Sequence, residues 1–245
     1  MSILELNNII KIGEDGNVLD GIYLDIEEKG IYSILGKKAS EKTALAEVLS
    51  GCASIDEGAM IYRGISVYSS AKNNREAKMK IGYVPKEISF IADMTVYDIL
   101  DFTGRLRKVS SNKRVRQIKE SLELVNLSSK HEVFVSELDA SEKKRLSLAN
   151  ALIGNPSMII LDEPTEAVRA NDAEIIKGLI RMIGAKKVII LLTDKVSLSE
   201  KIATTVGVIS NGEMTLWESV ENLKERYAGD ESFLTKAFVE FSAEA

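Results

Sequence analysis

Short β-branched apolar runs recur along the chain, separated by turn residues and by stretches of helical pattern. Ile9–Ile12 and Gly21–Ile26 read as strands near an N-terminal hairpin or edge. Ile31–Leu35 is a compact apolar run followed at once by Gly36 and then by a helix-patterned segment, Lys42–Leu49. That order is strand, glycine turn, helix. Met158–Leu161, Val188–Leu192 and Val206–Ile209 are apolar throughout, as strands buried on both faces of a mostly parallel sheet are. Asn211-Gly212 marks a tight hairpin turn.

Between Thr95 and Ala151 the period changes. VYDILDFTGRLRKV and IKESLELVNL place apolar residues at helical spacing with Lys, Arg and Glu between them, and no strand pattern interrupts them. The block reads as a helical lobe inserted into an α/β core. Residues 1–94 and 152–217 then form the core, 95–151 the lobe, and 218–245 one or two closing amphipathic helices.

Composition narrows this further. A chain of 245 residues with 45% hydrophobic content can bury one large core, or one core with an inserted lobe. The net charge of −5 does not point to a nucleic-acid surface, so no nucleic-acid partner is expected. Cys52 is the only cysteine, which excludes an intrachain disulfide and fits a reducing compartment. The first residues lack the basic and apolar regions of a secretory signal, and no stretch nears the roughly 20 apolar residues of a membrane span. The chain reads as cytoplasmic.

Two segments carry candidate chemistry. Gly36-Lys37-Lys38-Ala39-Ser40-Glu41-Lys42-Thr43 overlays the phosphate-binding pattern G-x-x-x-x-G-K-[ST], with Glu41 in place of the second glycine. Such a loop wraps phosphates with backbone N–H groups at a helix N-terminus, while its lysine neutralises charge and its hydroxyl holds Mg²⁺. A charged surface turn before a helix is the alternative. The second segment, Asn155 through Thr165, is an apolar strand ending in Asp162-Glu163-Pro164-Thr165. A carboxylate at a strand's C-terminal end can hold Mg²⁺, and a following Glu can polarise a water. An ordinary strand with an acidic turn does not account for its spacing from the first motif.

Together these segments resemble the ATP-binding subunits of ABC transporters, and the resemblance is nearest to the ABC-2, drug-exporter-like group. EKTALAEVLSG resembles the family's P-loop helix, IDEGAMIYRG its following hairpin, and IGYVPKEISFIADMTVYDIL its Q-loop region. KKRLSLANALIGNPSMIILDEPT resembles the signature helix running into Walker B, and VISNGEM and SFLTKAFVEF the closing hairpin and helix. Pro85, Pro156 and Pro164 fall where the family commonly has proline. The resemblance implies an α/β P-loop NTPase fold with a mostly parallel sheet, an N-terminal antiparallel β subdomain and an inserted helical lobe. It implies ATP and Mg²⁺ as cofactors. Phosphate contacts would run from Gly36, Lys37, Lys38 and Ala39 through Ser40, Glu41, Lys42 and Thr43 to Ala44. Thr43 and Asp162 would serve the metal, and Glu163 would be the candidate water-polarising base.

The departures fall on nucleotide chemistry. Glu41 sets a carboxylate where the family's glycine meets phosphate; at about 4 Å and an effective dielectric near 20, a like-charge unit pair costs about 4 kcal/mol. Even a net ~1.4 kcal/mol is roughly a tenfold loss of affinity. Ala39 removes easy access to positive φ. Lys86 stands at the Q-loop glutamine, and Asp139-Ala140-Ser141-Glu142 replace the donors of the signature, so two carboxylates are expected to face a partner's γ-phosphate. Arg169 stands at the D-loop aspartate, Asp194 at the switch histidine and Ile12 at the adenine-stacking aromatic. The single histidine, His131, lies in the lobe and cannot act as the switch.

The expectation is a degenerate ATP-binding subunit of a transporter, with weak nucleotide binding and little hydrolysis. It would sit peripherally on the inner face of the membrane, on a separate transmembrane subunit, paired with an identical or paralogous ATP-binding subunit. An active ATPase that tolerates the substitutions, and a non-transport scaffold on the same fold, are the competing readings.

Overall fold

The computed structural model describes residues 2–14 and 16–242. Its N-terminal strands β1 (Leu4–Gly13) and β2 (Gly16–Ile26) form a long antiparallel hairpin; β4 (Glu57–Tyr62) and β5 (Ile65–Ser66) extend it to a four-stranded sheet in the order β2-β1-β4-β5. Register shifts along β1 mark bulges, which bend a strand over the layer beneath it.

The second sheet runs β10-β9-β3-β8-β7-β6, built from β3 (Gly30–Gly36), β6 (Ile81–Val84), β7 (Met158–Asp162), β8 (Val188–Thr193), β9 (Thr205–Ser210) and β10 (Glu213–Ser219). β9, β3, β8, β7 and β6 are mutually parallel, and β10 closes one edge antiparallel to β9. Every position of β3, β7 and β8 is buried. Their unbroken apolar runs therefore reflect a sheet covered on both faces. Met158 and Ile160 face a core shared with the N-terminal sheet and α1 (Ala39–Ser50), while Ile159 and Leu161 face a core shared with helices. At the β9–β10 turn Asn211 and Gly212 have φ of 52° and 83°, the paired left-handed conformation that a two-residue hairpin needs.

The expected helical block consists of α3 (Val96–Leu106), α4 (Ser111–Leu124) and α5 (Ala140–Leu152), with two short 3-10 turns between α4 and α5 and no strand among the described residues. Thr95 and Asp98 form a capping box that starts α3. Ile118, Leu122 and Val125 of the lobe belong to the same buried cluster as Ile159, Leu161 and Ile189 of the sheet. Lobe and sheet thus share one core, with α5 packed against β6. The sequence pattern left unspoken α2 (Ala71–Lys78), α6 (Ala170–Gly184) and α7 (Val196–Ile202). The tail forms α8 (Val220–Arg226) and α9 (Phe233–Phe241), which cover Leu35, Val206 and Val208 in a third cluster.

Candidate functional site

β3 delivers Gly36 to the end of the sheet, and α1 begins three residues later at Ala39. A Cβ at Gly36 would lie 2.6 Å from Ile209 Cγ2, so this glycine allows close approach of β9. The helix starts well before Lys42 because Ala39, Ser40 and Glu41 are ordinary helix residues with no glycine to interrupt them. None of residues 37–43 has a positive φ. A phosphate nest needs alternating right- and left-handed residues, so the segment expected to wrap phosphate is a helical first turn. Only Lys37 and Lys38 lie between β3 and that helix.

Glu41 takes the place natural to an acid in a first helical turn, favoured by the helix dipole. It is buried, with Oε1 3.5 Å from Lys38 Nζ and Oε2 without a partner. The lysines of the segment are engaged from inside the chain. Lys37 donates to the Ser242 carbonyl at 3.2 Å, and Lys38 donates to Asn211 Oδ1 at 2.8 Å. Lys42, only 2% exposed, donates to the Gly36 carbonyl at 2.6 Å and stands 3.4 Å from Glu163 Oε1. Ser40 is exposed and Ala44 half-buried on the helix.

Glu163 follows β7 with φ of 44°, a left-handed backbone uncommon for a side-chain-bearing residue. Its carboxylate accepts from Thr193 Oγ1 at 2.8 Å and from the Asp194 N–H at 2.8 Å. Burial pushes this carboxyl above its usual range, partly opposed by Thr193 and Lys42. The two groups expected to meet phosphate and water therefore meet each other. Asp194 itself is exposed, and contributes its backbone rather than its side chain.

Thr43 donates to Asp162 Oδ2 at 2.9 Å, and Asp162 Oδ1 is buried with no partner. That contact is the arrangement a metal site would use. Burial raises the Asp162 carboxyl, while Thr43 and the ammonium groups of Lys42, Lys86 and Lys144 pull it down. Among the described residues no group of three or more His, Cys, Asp or Glu side chains gathers as a metal cluster. Thr43 and Asp162, whose buried Oδ1 has no partner, are the residues that would hold Mg²⁺, an ion usually bound by one or two carboxylates together with substrate phosphates and water.

The remaining positions form a charged seam beside this centre. Val84 of β6 is paired with Leu161 of β7, which carries Pro85 and Lys86 alongside Asp162 and Glu163. Lys86 lies 3.4 Å from Glu166, and Lys144 of α5 donates to the Lys86 carbonyl at 3.0 Å. Burial lowers the Lys144 pKa. A cavity of about 340 Å³ opens here between Lys86, Glu87, Ala140, Lys143, Lys144 and Glu166.

At the start of α5, Asp139 and Glu142 close a capping box: the Glu142 N–H donates to Asp139 Oδ1 at 2.8 Å, and the Asp139 N–H to Glu142 Oε2 at 3.2 Å. The box satisfies two N–H groups at this helix end with its own carboxylates, and the first-turn N–H groups of Ala140 and Ser141 lie outside it. Of the two carboxylates expected to face a phosphate, only Asp139 stays at the surface; Glu142 turns inward and pairs with Lys130. Ser141 is buried and accepts from the Arg169 N–H at 3.0 Å. The Arg169 guanidinium reaches Asp139 at 3.3 Å and Asp172 at 2.8 Å. Ile12 is 57% exposed on the N-terminal hairpin, its N–H donating to Asp56. His131 sits in the lobe beside the Ser128 carbonyl, away from this centre.

Sequence reasoning missed Thr193, Lys144, Asn211 and the Ser242 carbonyl. Thr193 was legible as the polar end of an apolar strand; the other three reach the site only through folding.

The ABC transporter family profile matches residues 19–166. The chain is 29% identical over 224 residues to the methionine import ATP-binding protein MetN of Clostridium acetobutylicum, covering 90% of this chain and 70% of that protein. It is 28% identical over 258 residues to the MetN protein of Lactobacillus acidophilus, covering 100% of this chain and 72% of that one. Among solved structures, an ATP-binding subunit of an ABC transporter superposes with a TM-score of 0.85 at 16% identity, covering 98% of this chain and 99% of that chain. A dimeric ATP-binding cassette in a post-hydrolysis state with ADP and Pi superposes with a TM-score of 0.80 at 21% identity, covering 89% and 98%. These last two are likenesses of fold.

Proposed function

This chain is an ATP-binding domain of the ABC transporter family, and on that premise we propose that it supports transport through a separate membrane subunit while binding nucleotide weakly and hydrolysing little of it. The observation that carries this reading is the pairing of Lys42 with Glu163, at 3.4 Å and almost fully buried. A phosphate-binding lysine and a water-polarising glutamate that neutralise each other must separate before either can serve a ligand, which weakens binding without removing the need for Lys42. The helical start at Ala39 and the self-capped α5 support the same conclusion from the two halves of a composite site.

Family members use ATP with Mg²⁺, so the reading concerns degree. Among the described residues no helix is long and apolar enough to cross a membrane. The proposed place is peripheral, on the inner face of the membrane against a transmembrane partner. The dimeric solved relative supports pairing with a second ATP-binding subunit, identical or paralogous. The curated relatives are import proteins and favour import over the export grouping that local motifs resemble.

Calorimetric titration with Mg²⁺-ATP, wild type against Lys42→Ala, tests the reading. Weak saturable binding that Lys42→Ala abolishes supports it; tight binding with steady turnover lost on Glu163→Gln would replace it with an active ATPase. The intact Thr43–Asp162 contact is the one observation that favours that second reading.

A further inference from the structure

We propose that the end of the helical lobe where α3 meets α4 binds directly to an anionic phospholipid surface. This goes beyond the peripheral placement above, which needs a transmembrane partner, and it does not depend on the nucleotide site.

The first observation is one of charge. The segment FTGRLRKVSSNKRVRQIK, residues 102–119, holds seven of the chain's 32 lysines and arginines and none of its 37 aspartates and glutamates. The chain as a whole carries −5, so this cluster opposes the sign of the molecule. Two of the seven serve the fold. Arg107 donates to the Ile81 and Ile153 carbonyls, and Arg114 ties the first turn of α4 to Asp101 of α3 and to the Val109 carbonyl. The other five are exposed. Arg105, Arg116 and Lys119 make i,i+4 pairs while staying 68%, 72% and 78% exposed, and water screens such pairs. Among the described residues, Lys108 and Lys113 pair with no carboxylate. Lys108 also ends α3 with φ of 57°, a left-handed position that glycine or asparagine usually takes. Nothing in the local backbone calls for a lysine there.

The second observation is apolar. Phe102 and Leu106 are 46% and 64% exposed, one turn apart on α3 with Arg105 on the same face. Bulky apolar side chains set among lysine and arginine suit the boundary between lipid headgroups and acyl chains. Anionic headgroups would meet the ammonium and guanidinium groups, while Phe102 and Leu106 enter the layer beneath. A nucleic-acid backbone would answer the charge and leave both apolar side chains in water. The negative remainder of the chain is repelled by an anionic surface, which turns this end toward it.

The test is co-sedimentation of the full chain with phosphatidylcholine vesicles, with and without about one third phosphatidylglycerol, at about 0.1 M and ~0.5 M salt. Binding is expected only with phosphatidylglycerol, and it should weaken at the higher salt. Lys108→Gln together with Lys113→Gln should reduce the partition coefficient by roughly fivefold for each charge removed. Phe102→Ser together with Leu106→Ser should reduce it by roughly tenfold. All four side chains are exposed, and thermal melts establish that each variant is folded. No binding to anionic vesicles, or binding unchanged by the lysine pair, overturns the proposal. Binding that falls with the lysines and ignores Phe102 and Leu106 assigns the patch to a soluble polyanion and overturns it as well. Each of these results leaves the nucleotide and transport readings standing.

Discussion

Glu163→Gln offers a measurement in which a working catalytic base and an internal counter-ion behave oppositely. The substitution removes the charge that faces Lys42 and keeps nearly the same volume. Lys42 and Glu163 side chains are 3% and 5% exposed at 3.4 Å, so water cannot replace the lost partner. Breaking one side of a buried pair costs about 3–5 kcal/mol. Two features place this case at the lower end. Lys42 keeps its 2.6 Å bond to the Gly36 carbonyl, and burial already raises the Glu163 carboxyl, so its charged form is held at some cost. The expected loss is therefore ~3 kcal/mol. A chain of this length shifts by about 2–4 °C per kcal/mol, giving a Tm drop of roughly 6–12 °C. The assay is scanning calorimetry at neutral pH without nucleotide on wild type, Glu163→Gln, Lys42→Met and the double variant. The double variant should recover part of the loss, with a coupling energy of about 1–3 kcal/mol. Catalytic carboxylates are commonly held at the expense of stability. A Glu163→Gln protein as stable as wild type, or a coupling energy near zero, would refute the argument from internal pairing.

Three further outcomes follow from the same geometry. Glu41→Gly removes a buried, half-unpartnered carboxylate and puts a residue of low helix propensity in the first turn of α1; ATP should bind roughly tenfold tighter by calorimetry, while stability changes by about 1 kcal/mol or less. Asp139→Ala deletes the α5 cap and one contact of Arg169, for an expected loss of about 1 kcal/mol in denaturant unfolding. The Asp162 carboxyl is raised above its ordinary 3.8 chiefly by burial. Its stabilising contribution is thus complete below that ordinary value and is lost as pH rises through the folded-state value. Thermal melts from about pH 4 to neutrality should show Asp162→Asn gaining on wild type as pH rises, and parallel profiles would count against this.

Much of the scaffold was legible because its signals are local. Met158–Leu161 and Val188–Leu192 suit strands covered on both faces, and Asn211-Gly212 suits a tight turn; each signal needs nothing beyond its neighbours in sequence. The candidate site was legible in its membership and illegible in its state. Lys42, Thr43, Asp162 and Glu163 were identified from motif spacing, and they do converge. That Lys42 turns to Glu163 depends on Thr193 and the Asp194 N–H orienting a carboxylate 30 residues away from Thr193. Glu142 was expected at the surface from its motif position. Its inward turn follows from Lys130 and from the cap it shares with Asp139, both products of how the lobe folds. Local pattern identifies helices and strands, whereas the direction of a charged side chain is settled by partners distant in sequence.

The start of α1 at Ala39 also has a kinetic meaning. A ligand that needs residues 39–41 as an open loop can enter only those molecules in which the first helical turn has melted. Its apparent affinity is then its intrinsic affinity reduced by the fraction of molecules that are open. Its rate of association levels off with rising concentration at the rate of unwinding. Occupancy of such a site is governed by how far the opening equilibrium of a single helical turn lies toward the closed form.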